Sequence, residues 1–199
     1  MIITDTTAAV LAGGTNSRLQ QEKSLIMINK QFLLSRILNI LEGIFSDIII
    51  ISGKPELYIR FPDQKFLPDI HPGCGPLGGI YTALSRTRQK SVFVFACDMP
   101  NLQSELIRKQ LDLFRKNQPD ILIPRHQQGI EPLHAIYSRN CLPRIKEQLN
   151  KNDCAVRSFF PTVQVDYFDL AAGEEKYFFN INTIKELASL RNGRLSPEL

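Results

Sequence analysis

Short apolar runs alternate with amphipathic stretches along this chain, and the alternation predicts most of its elements. Ala8 to Ala12 is apolar and ends in Gly13-Gly14, which predicts a buried strand running into a loop. From Phe32 to Ile44 the apolar residues Phe32, Leu33, Ile37, Ile40, Leu41 and Ile44 recur at helical spacing. Ile48 to Ile51 is β-branched and bounded by Asp47 and Ser52-Gly53, the pattern of a second buried strand. Leu77 to Ser85 predicts a helix introduced by Gly75-Pro76. Ser91 to Ala96 is a third strand, Gln103 to Phe114 a helix beyond Pro100, and Asp120 to Ile123 a fourth strand. After Gly129 the pattern loosens. Leu133 to Tyr137 and Val163 to Tyr167 read as strands, Arg139 to Leu149 as a helix, and Thr183 to Leu190 as a final helix after Asn180-Ile181-Asn182.

The β-α-β-α order predicts an α/β protein with a mainly parallel sheet and helices on both faces. In such sheets ligands bind outside the carboxyl ends of the strands. Gly13-Gly14, Ser52-Gly53 and Asp98 all fall at those ends. No internal repeat or low-complexity linker divides the chain, and its 199 residues suit one domain with a frayed tail at 194–199.

Composition narrows the function class. Apolar residues make up 43% and charged residues 22%, enough for a full core and too little charge for disorder. The net charge of +4 is spread rather than clustered, which argues against nucleic acid as a partner. Apolar runs such as Ile48 to Ile51 are far too short to span a bilayer, so no membrane partner is expected. The N-terminus lacks a basic segment leading into a long apolar one, which argues against a signal peptide. The cysteines at 74, 97, 141 and 154 form no C-x-x-C pair and suggest no zinc site. The expectation is a reduced, soluble, cytoplasmic protein.

Five segments carry candidate chemistry. The first is Leu11-Ala12-Gly13-Gly14-Thr15-Asn16-Ser17-Arg18, with Lys23 following. Adjacent glycines bring backbone N–H groups close to a ligand, and Arg18 and Lys23 can neutralise a triphosphate. It is not a P-loop, because Glu22 stands where a glycine should precede Lys-Ser. A plain strand-to-helix turn with solvated charges explains it equally well. The second is Ala96-Cys97-Asp98-Met99-Pro100, where Asp98 either holds Mg²⁺ together with phosphate oxygens or caps the next helix.

The third segment is Asp69-Ile70-His71-Pro72-Gly73-Cys74-Gly75-Pro76-Leu77-Gly78-Gly79. It formally matches the dinucleotide pattern G-x-G-x-x-G, but Pro68 and Pro72 make the preceding stretch a poor central strand. A rigid loop shaping a base or phosphate pocket is the other reading. The fourth runs from Gly129 to Tyr137, where His134 on a strand is more often structural than a base. The fifth is Phe179-Asn180-Ile181-Asn182-Thr183, whose two asparagines share a face and either meet a ligand or cap a helix.

Taken in order, these segments resemble the MobA family of molybdenum cofactor guanylyltransferases. The matching pieces are Leu11-Ala12-Gly13-Gly14 with Arg18 and Lys23, Asp69, Gly75-Pro76-Leu77-Gly78-Gly79-Ile80, Cys97-Asp98-Met99-Pro100, Glu131 to Tyr137, and Asn180-Ile181-Asn182-Thr183. They extend over nearly the whole chain. The resemblance implies a Rossmann-like, three-layer α/β/α nucleotidyltransferase fold. It also implies transfer of GMP from GTP to molybdopterin with release of pyrophosphate. Leu11, Ala12, Gly13, Gly14, Lys23, Asp69 and Asp98 would bind GTP, and Arg18, Lys23 and Asp98 would serve catalysis. Asp98 would hold Mg²⁺, while Glu131, Pro132, Asn180 and Asn182 would face the pterin substrate. Residues 1–128 would form the nucleotide part and 129–193 the pterin part. Cofactor-pathway proteins and a receiving molybdoenzyme are the implied protein partners.

The chain departs from the family pattern at Leu19-Gln20, where Met-Gly is usual, and at Glu22, where Asp usually precedes the lysine. Asn29-Lys30-Gln31 lacks the usual glycine, and Ile51 or Ser52 stands where some members carry a nucleotide-binding Asn. Three rivals remain at this level: a cytidylyltransferase for the same cofactor, an oxidoreductase using Gly73 to Gly78, and a non-catalytic nucleotide-binding partner in cofactor assembly. Related cytidylyl enzymes tend to carry Ala-Ala-Gly and Gly-Asp where this chain has Ala12-Gly13-Gly14 and Cys97-Asp98, which favours guanylyl transfer.

Overall fold

A computed structural model describes residues 1–13, 23–28, 30–181 and 186. The expected loop residues Gly14, Arg18, Leu19, Gln20 and Glu22, and the expected final helix from Thr183 with Asn182 before it, lie outside the described residues, apart from Glu186, which is helical.

The sheet is built around β1 (Thr6–Leu11), β4 (Ile48–Ile51) and β6 (Ser91–Ala96). β1 pairs in parallel with both, Leu11 facing Ile51 on one side and Ala96 on the other. Beyond β6 come β9 (His134–Ser138), β7 (Ile121–His126) and β10 (Val165–Asp169); beyond β4 comes the two-residue β5 (Phe66–Leu67). The order is β10-β7-β9-β6-β1-β4-β5, with β8 (Gly129–Ile130) attached to β7. β9 runs antiparallel to both its neighbours. A separate antiparallel hairpin joins β2 (Met27–Ile28) to β3 (Gln31–Phe32).

Strand alternation divides the core between two faces. Ala8, Val10, Ile50, Phe93, Phe95 and Leu122 point to one side. There they meet Leu34, Ile37 and Leu41 of α1 (Leu33–Glu42), and Ile107 and Leu111 of α4 (Ser104–Asn117). Ala9, Ile49, Ile51, Val92, Val94, Ile121 and Ile123 point to the other. They meet Leu77, Ile80 and Leu84 of α3 (Gly75–Arg86), and Ile145 and Leu149 of α5 (Leu142–Asn150). This is the three-layer α/β/α arrangement expected. The central strands are buried on both faces, which is why they read as continuous apolar runs.

Two expectations need correction. The cysteines are not all reduced: Cys74 and Cys154 form a disulfide, with Cα atoms 4.9 Å apart across 80 residues of sequence. Sequence spacing cannot reveal such a pair, because α3 and α5 packing on the same sheet face brings the two positions together. The stretches flanking α1 and β4 also hold elements that the pattern does not predict. These are the hairpin β2–β3 before α1 and the helix α2 (Pro55–Arg60) after Ile51, both too short to show a period. Among the described residues, no helix is long and apolar enough to cross a membrane.

Candidate functional site

A cleft of about 930 Å³ opens at the carboxyl ends of β1, β4 and β6. It lies within the size range of pre-formed small-molecule sites. Each central strand contributes its end to the wall: Leu11 and Gly13 from β1, Ile51, Ser52 and Gly53 from β4, and Ala96, Cys97 and Asp98 from β6. The strand ends are tied together. Ala12 N–H donates to the Ile51 carbonyl at 3.0 Å, and Cys97 N–H to the Leu11 carbonyl at 3.3 Å. Ala12 is therefore a buried strut whose amide is already engaged, and it does not line the cleft.

The 3-10 turn Lys23–Leu25 brings the Lys23 ammonium to 2.5 Å from the Asp98 carboxylate inside the cleft. Both side chains are mostly shielded from solvent, at 18% and 14% exposure, so their attraction is screened far less than that of a surface pair. Asp98 is not a helix cap: α4 starts six residues later, at Ser104, with Gln103 before it. Its backbone carbonyl accepts from Ile181 N–H at 2.9 Å, which fastens the C-terminal segment to this turn. Next to Ile181, the buried Asn180 Oδ1 has no hydrogen-bond partner among the described residues.

The opposite wall is the loop from Pro68 to Gly79 that enters α3. Asp69 organises it, its Oδ1 accepting from His71 N–H at 2.9 Å and from the Thr82 hydroxyl at 2.8 Å. Thr82 Oγ1 in turn accepts from Ile70 N–H at 2.9 Å. The loop passes so close to α3 that a Cβ on Gly78 would lie 2.6 Å from the His71 carbonyl oxygen, and one on Gly79 would lie 2.9 Å from Leu11 Cδ2. The formal G-x-G-x-x-G match thus follows the short edge strand β5, not a central strand, and its glycines serve close packing. That placement removes the reason for reading a dinucleotide fold.

Lys54 was missed in the sequence. It directly follows Ser52-Gly53 and adds a second ammonium-bearing side chain to the lining. Its N–H donates to Ser52 Oγ at 3.2 Å. The Tyr58 hydroxyl donates to the Ser52 carbonyl at 2.6 Å, while its ring stacks on Phe66 at 4.6 Å. The signal available was a lysine immediately after a strand-end glycine and before Pro55.

Leu11, Gly13, Lys23, Asp69 and Asp98 therefore meet in one cleft. Glu131 and Pro132 stand outside its lining, although the next residue, Leu133, reaches it. Glu131 pairs with His126 at 3.0 Å, and the Pro132 carbonyl accepts from the Tyr137 hydroxyl at 2.7 Å. His134 is buried among Phe93, Phe95 and Phe178, and desolvation pushes its pKa down to about 3. It is a neutral structural residue.

No group of three or more His, Cys, Asp or Glu side chains gathers among the described residues, so the chain forms no closed metal cage there. Mg²⁺ commonly takes one or two carboxylates and completes its shell with phosphate oxygens and water. Asp98, facing a cleft that also holds two lysines, fits an ion that arrives with a polyphosphate, while the Asp69 carboxylate is engaged by His71 N–H and Thr82.

Comparison with known proteins agrees with this geometry. Residues 8–164 match the model of the MobA-like NTP transferase domain. A protein of Pelotomaculum thermopropionicum, named "Probable molybdenum cofactor guanylyltransferase", is 35% identical over 190 residues, covering 93% of this chain and 91% of that one. A protein of the same name from Natranaerobius thermophilus is 32% identical over 196 residues, covering 92% of this chain and 94% of that one. The crystal structure of molybdopterin-guanine dinucleotide biosynthesis protein A from Archaeoglobus fulgidus shares the fold, with a TM-score of 0.82 at 24% identity, covering 94% and 98% of the two chains. The chain belongs to the MobA-like NTP transferase family.

Proposed function

We propose that this protein transfers GMP from GTP to the terminal phosphate of molybdopterin, forming the guanine dinucleotide cofactor and releasing pyrophosphate. The observation that carries the reading is the Lys23–Asp98 pair, set in a glycine-walled cleft at the carboxyl ends of three parallel strands. The names of the relatives at 35% and 32% identity support the choice of guanine and of a molybdenum cofactor acceptor.

The acceptor is a phosphate monoester, whose second pKa of about 6 leaves it anionic near neutral pH. It needs no general base. An acceptor oxygen bonds to the α-phosphorus of GTP, the α–β anhydride bond breaks, and its electron pair departs with pyrophosphate. The protein must align the two phosphates in line and offset their mutual repulsion. Leu11 and Gly13 shape the nucleotide side of the site with Ala12 bracing them, Gly14 joins them in binding GTP, and Asp69 holds the base loop. Lys23 neutralises Asp98 until a triphosphate enters and then turns to its oxygens, with Arg18 adding a second cation. Asp98 is the residue that would hold Mg²⁺; what the metal supplies when bound is charge neutralisation of the phosphate oxygens. Residues 1–128 form the nucleotide part of one domain. Residues 129–193, with Glu131, Pro132, Asn180 and Asn182, form the pterin side. Cytoplasmic work beside cofactor-pathway proteins and a molybdoenzyme completes the reading.

Pyrophosphate release in the presence of molybdopterin tests it. GTP should support release at least tenfold faster than CTP. Equal or faster release with CTP would reassign the base, and none with either nucleotide would remove the activity.

A further inference from the structure

The Pro68–Gly79 loop, which forms one wall of the cleft, is tied to the body of the protein by the Cys74–Cys154 disulfide. Gly73 and Gly75, on either side of Cys74, both line the cleft. Both adopt left-handed conformations, with φ of +94° and +53°, so the loop turns sharply on each side of the tethered residue. Apart from the disulfide, the backbone bonds around Cys74 are long: Cys74 N–H to the His71 carbonyl at 3.2 Å and Gly78 N–H to the Cys74 carbonyl at 3.4 Å. The Asp69 brackets hold only the front of the loop.

The far end of the tether is firm. Cys154 lies between α5 and the 3-10 turn Val156–Thr162. Gln148 Nε2, on α5, donates to the Ala155 carbonyl at 2.6 Å, and Ile145 and Leu149 anchor α5 in the core. Of the four cysteines, Cys74 and Cys154 are half-buried, whereas Cys97 and Cys141 are buried. Their burial keeps both thiols away from a reductant or oxidant in solution.

We propose that Cys74 and Cys154 form a reversible thiol–disulfide switch that sets how rigidly the Pro68–Gly79 loop is held, and through it the affinity of the cleft for its nucleotide. The last clause rests on the reading of the cleft as a GTP site. A dithiol reduces the bond: the S–S bond breaks, two thiols form with the two electrons and two protons supplied, and the dithiol closes to its own disulfide. A half-buried disulfide that meets reducing thiols is of this transient kind, and a small-molecule disulfide reverses the exchange by taking back the two electrons and two protons. The oxidised loop is pre-organised and binds more tightly, because less freedom is lost when the ligand arrives.

The full-length protein, oxidised with diamide or reduced with dithiothreitol, tests the switch by three measurements: non-reducing peptide mapping, amide hydrogen exchange over residues 68–79, and titration with a fluorescent GTP analogue. We expect a linked 74–154 peptide only after oxidation, faster exchange of the loop on reduction, and a nucleotide Kd about 3- to 10-fold weaker in the reduced form. Cys154→Ser, which lies outside the cleft lining, should show the reduced behaviour under both conditions, and Cys141→Ser should respond like the wild type. Absence of the linked peptide, loop exchange that ignores the redox state, or a response that survives in Cys154→Ser would each overturn the switch. Exchange that responds while GTP fails to bind in either state would instead support the switch and count against the GTP reading.

Discussion

His134 shows how surroundings decide a residue's role at the level of single residues. A histidine on a strand is more often structural than a base, and this one is enclosed by three aromatic rings and meets Gln110 at 3.3 Å. Burial holds it neutral, with a pKa pushed down to about 3. The unfolded chain takes up a proton near pH 6.5 that the folded chain refuses. The group therefore leaves stability nearly unchanged above about pH 6.5 and lowers it as pH falls toward the folded value, by up to roughly 1.4 kcal/mol per pH unit. Urea denaturation at pH 7 and pH 5 should show the wild type losing about 2 kcal/mol more than His134→Gln over that interval. Equal losses would mean that the ring is protonated in the folded state. Asp98 gave the opposite lesson. Its neighbours allow either a cap or a metal ligand, and only its distance from α4 removes the cap.

At the level of elements, α3 owes its position to two adjacent glycines with different duties. In an isolated helix, replacing either with alanine would gain up to about 1 kcal/mol. At Gly78 the new methyl would meet the backbone carbonyl of His71, which cannot move without shifting the Asp69 loop. At Gly79 it would meet the tip of the Leu11 side chain, which can rotate. Gly78→Ala should therefore lower stability by about 1–3 kcal/mol and raise the KM for GTP, while Gly79→Ala should stay within about 1 kcal/mol of the wild type. Thermal denaturation together with initial rates checks the pair; a Gly78→Ala protein as stable as Gly79→Ala would show that the loop gives way freely.

The elements that hold the core were legible because burial imposes a period or a continuous apolar run. Ile48 to Ile51 and Ser91 to Ala96 matched their strands at both ends. What was not legible lacks such a signal. α2 has only six residues, β5 only two, and Lys54 is one lysine among many until the fold turns it into the cleft. Lys30 is an instructive middle case. The family's usual glycine near this position is absent, and the lysine there takes φ of +65°, a conformation that glycine adopts at lower cost.

On the scale of the whole molecule, parallel pairing about β1 converts distant residues into neighbours. Gly13, Ser52 and Asp98 lie far apart in the sequence, yet the order β4-β1-β6 gathers their strand ends at one cleft. The same logic hid the Cys74–Cys154 bond, which depends on two helices sharing a face of the sheet rather than on any local motif. Glu131 and Pro132 lie outside the cleft lining, although their neighbour Leu133 reaches it. Asp98 either acts on the reacting phosphates or merely pairs with Lys23. Asp98→Asn keeps the shape of the side chain and removes its charge. Measured side by side, turnover of GTP with molybdopterin should fall by about 100-fold or more, and the Kd for GTP should change by less than about threefold. Unchanged turnover in that variant would contradict the central claim.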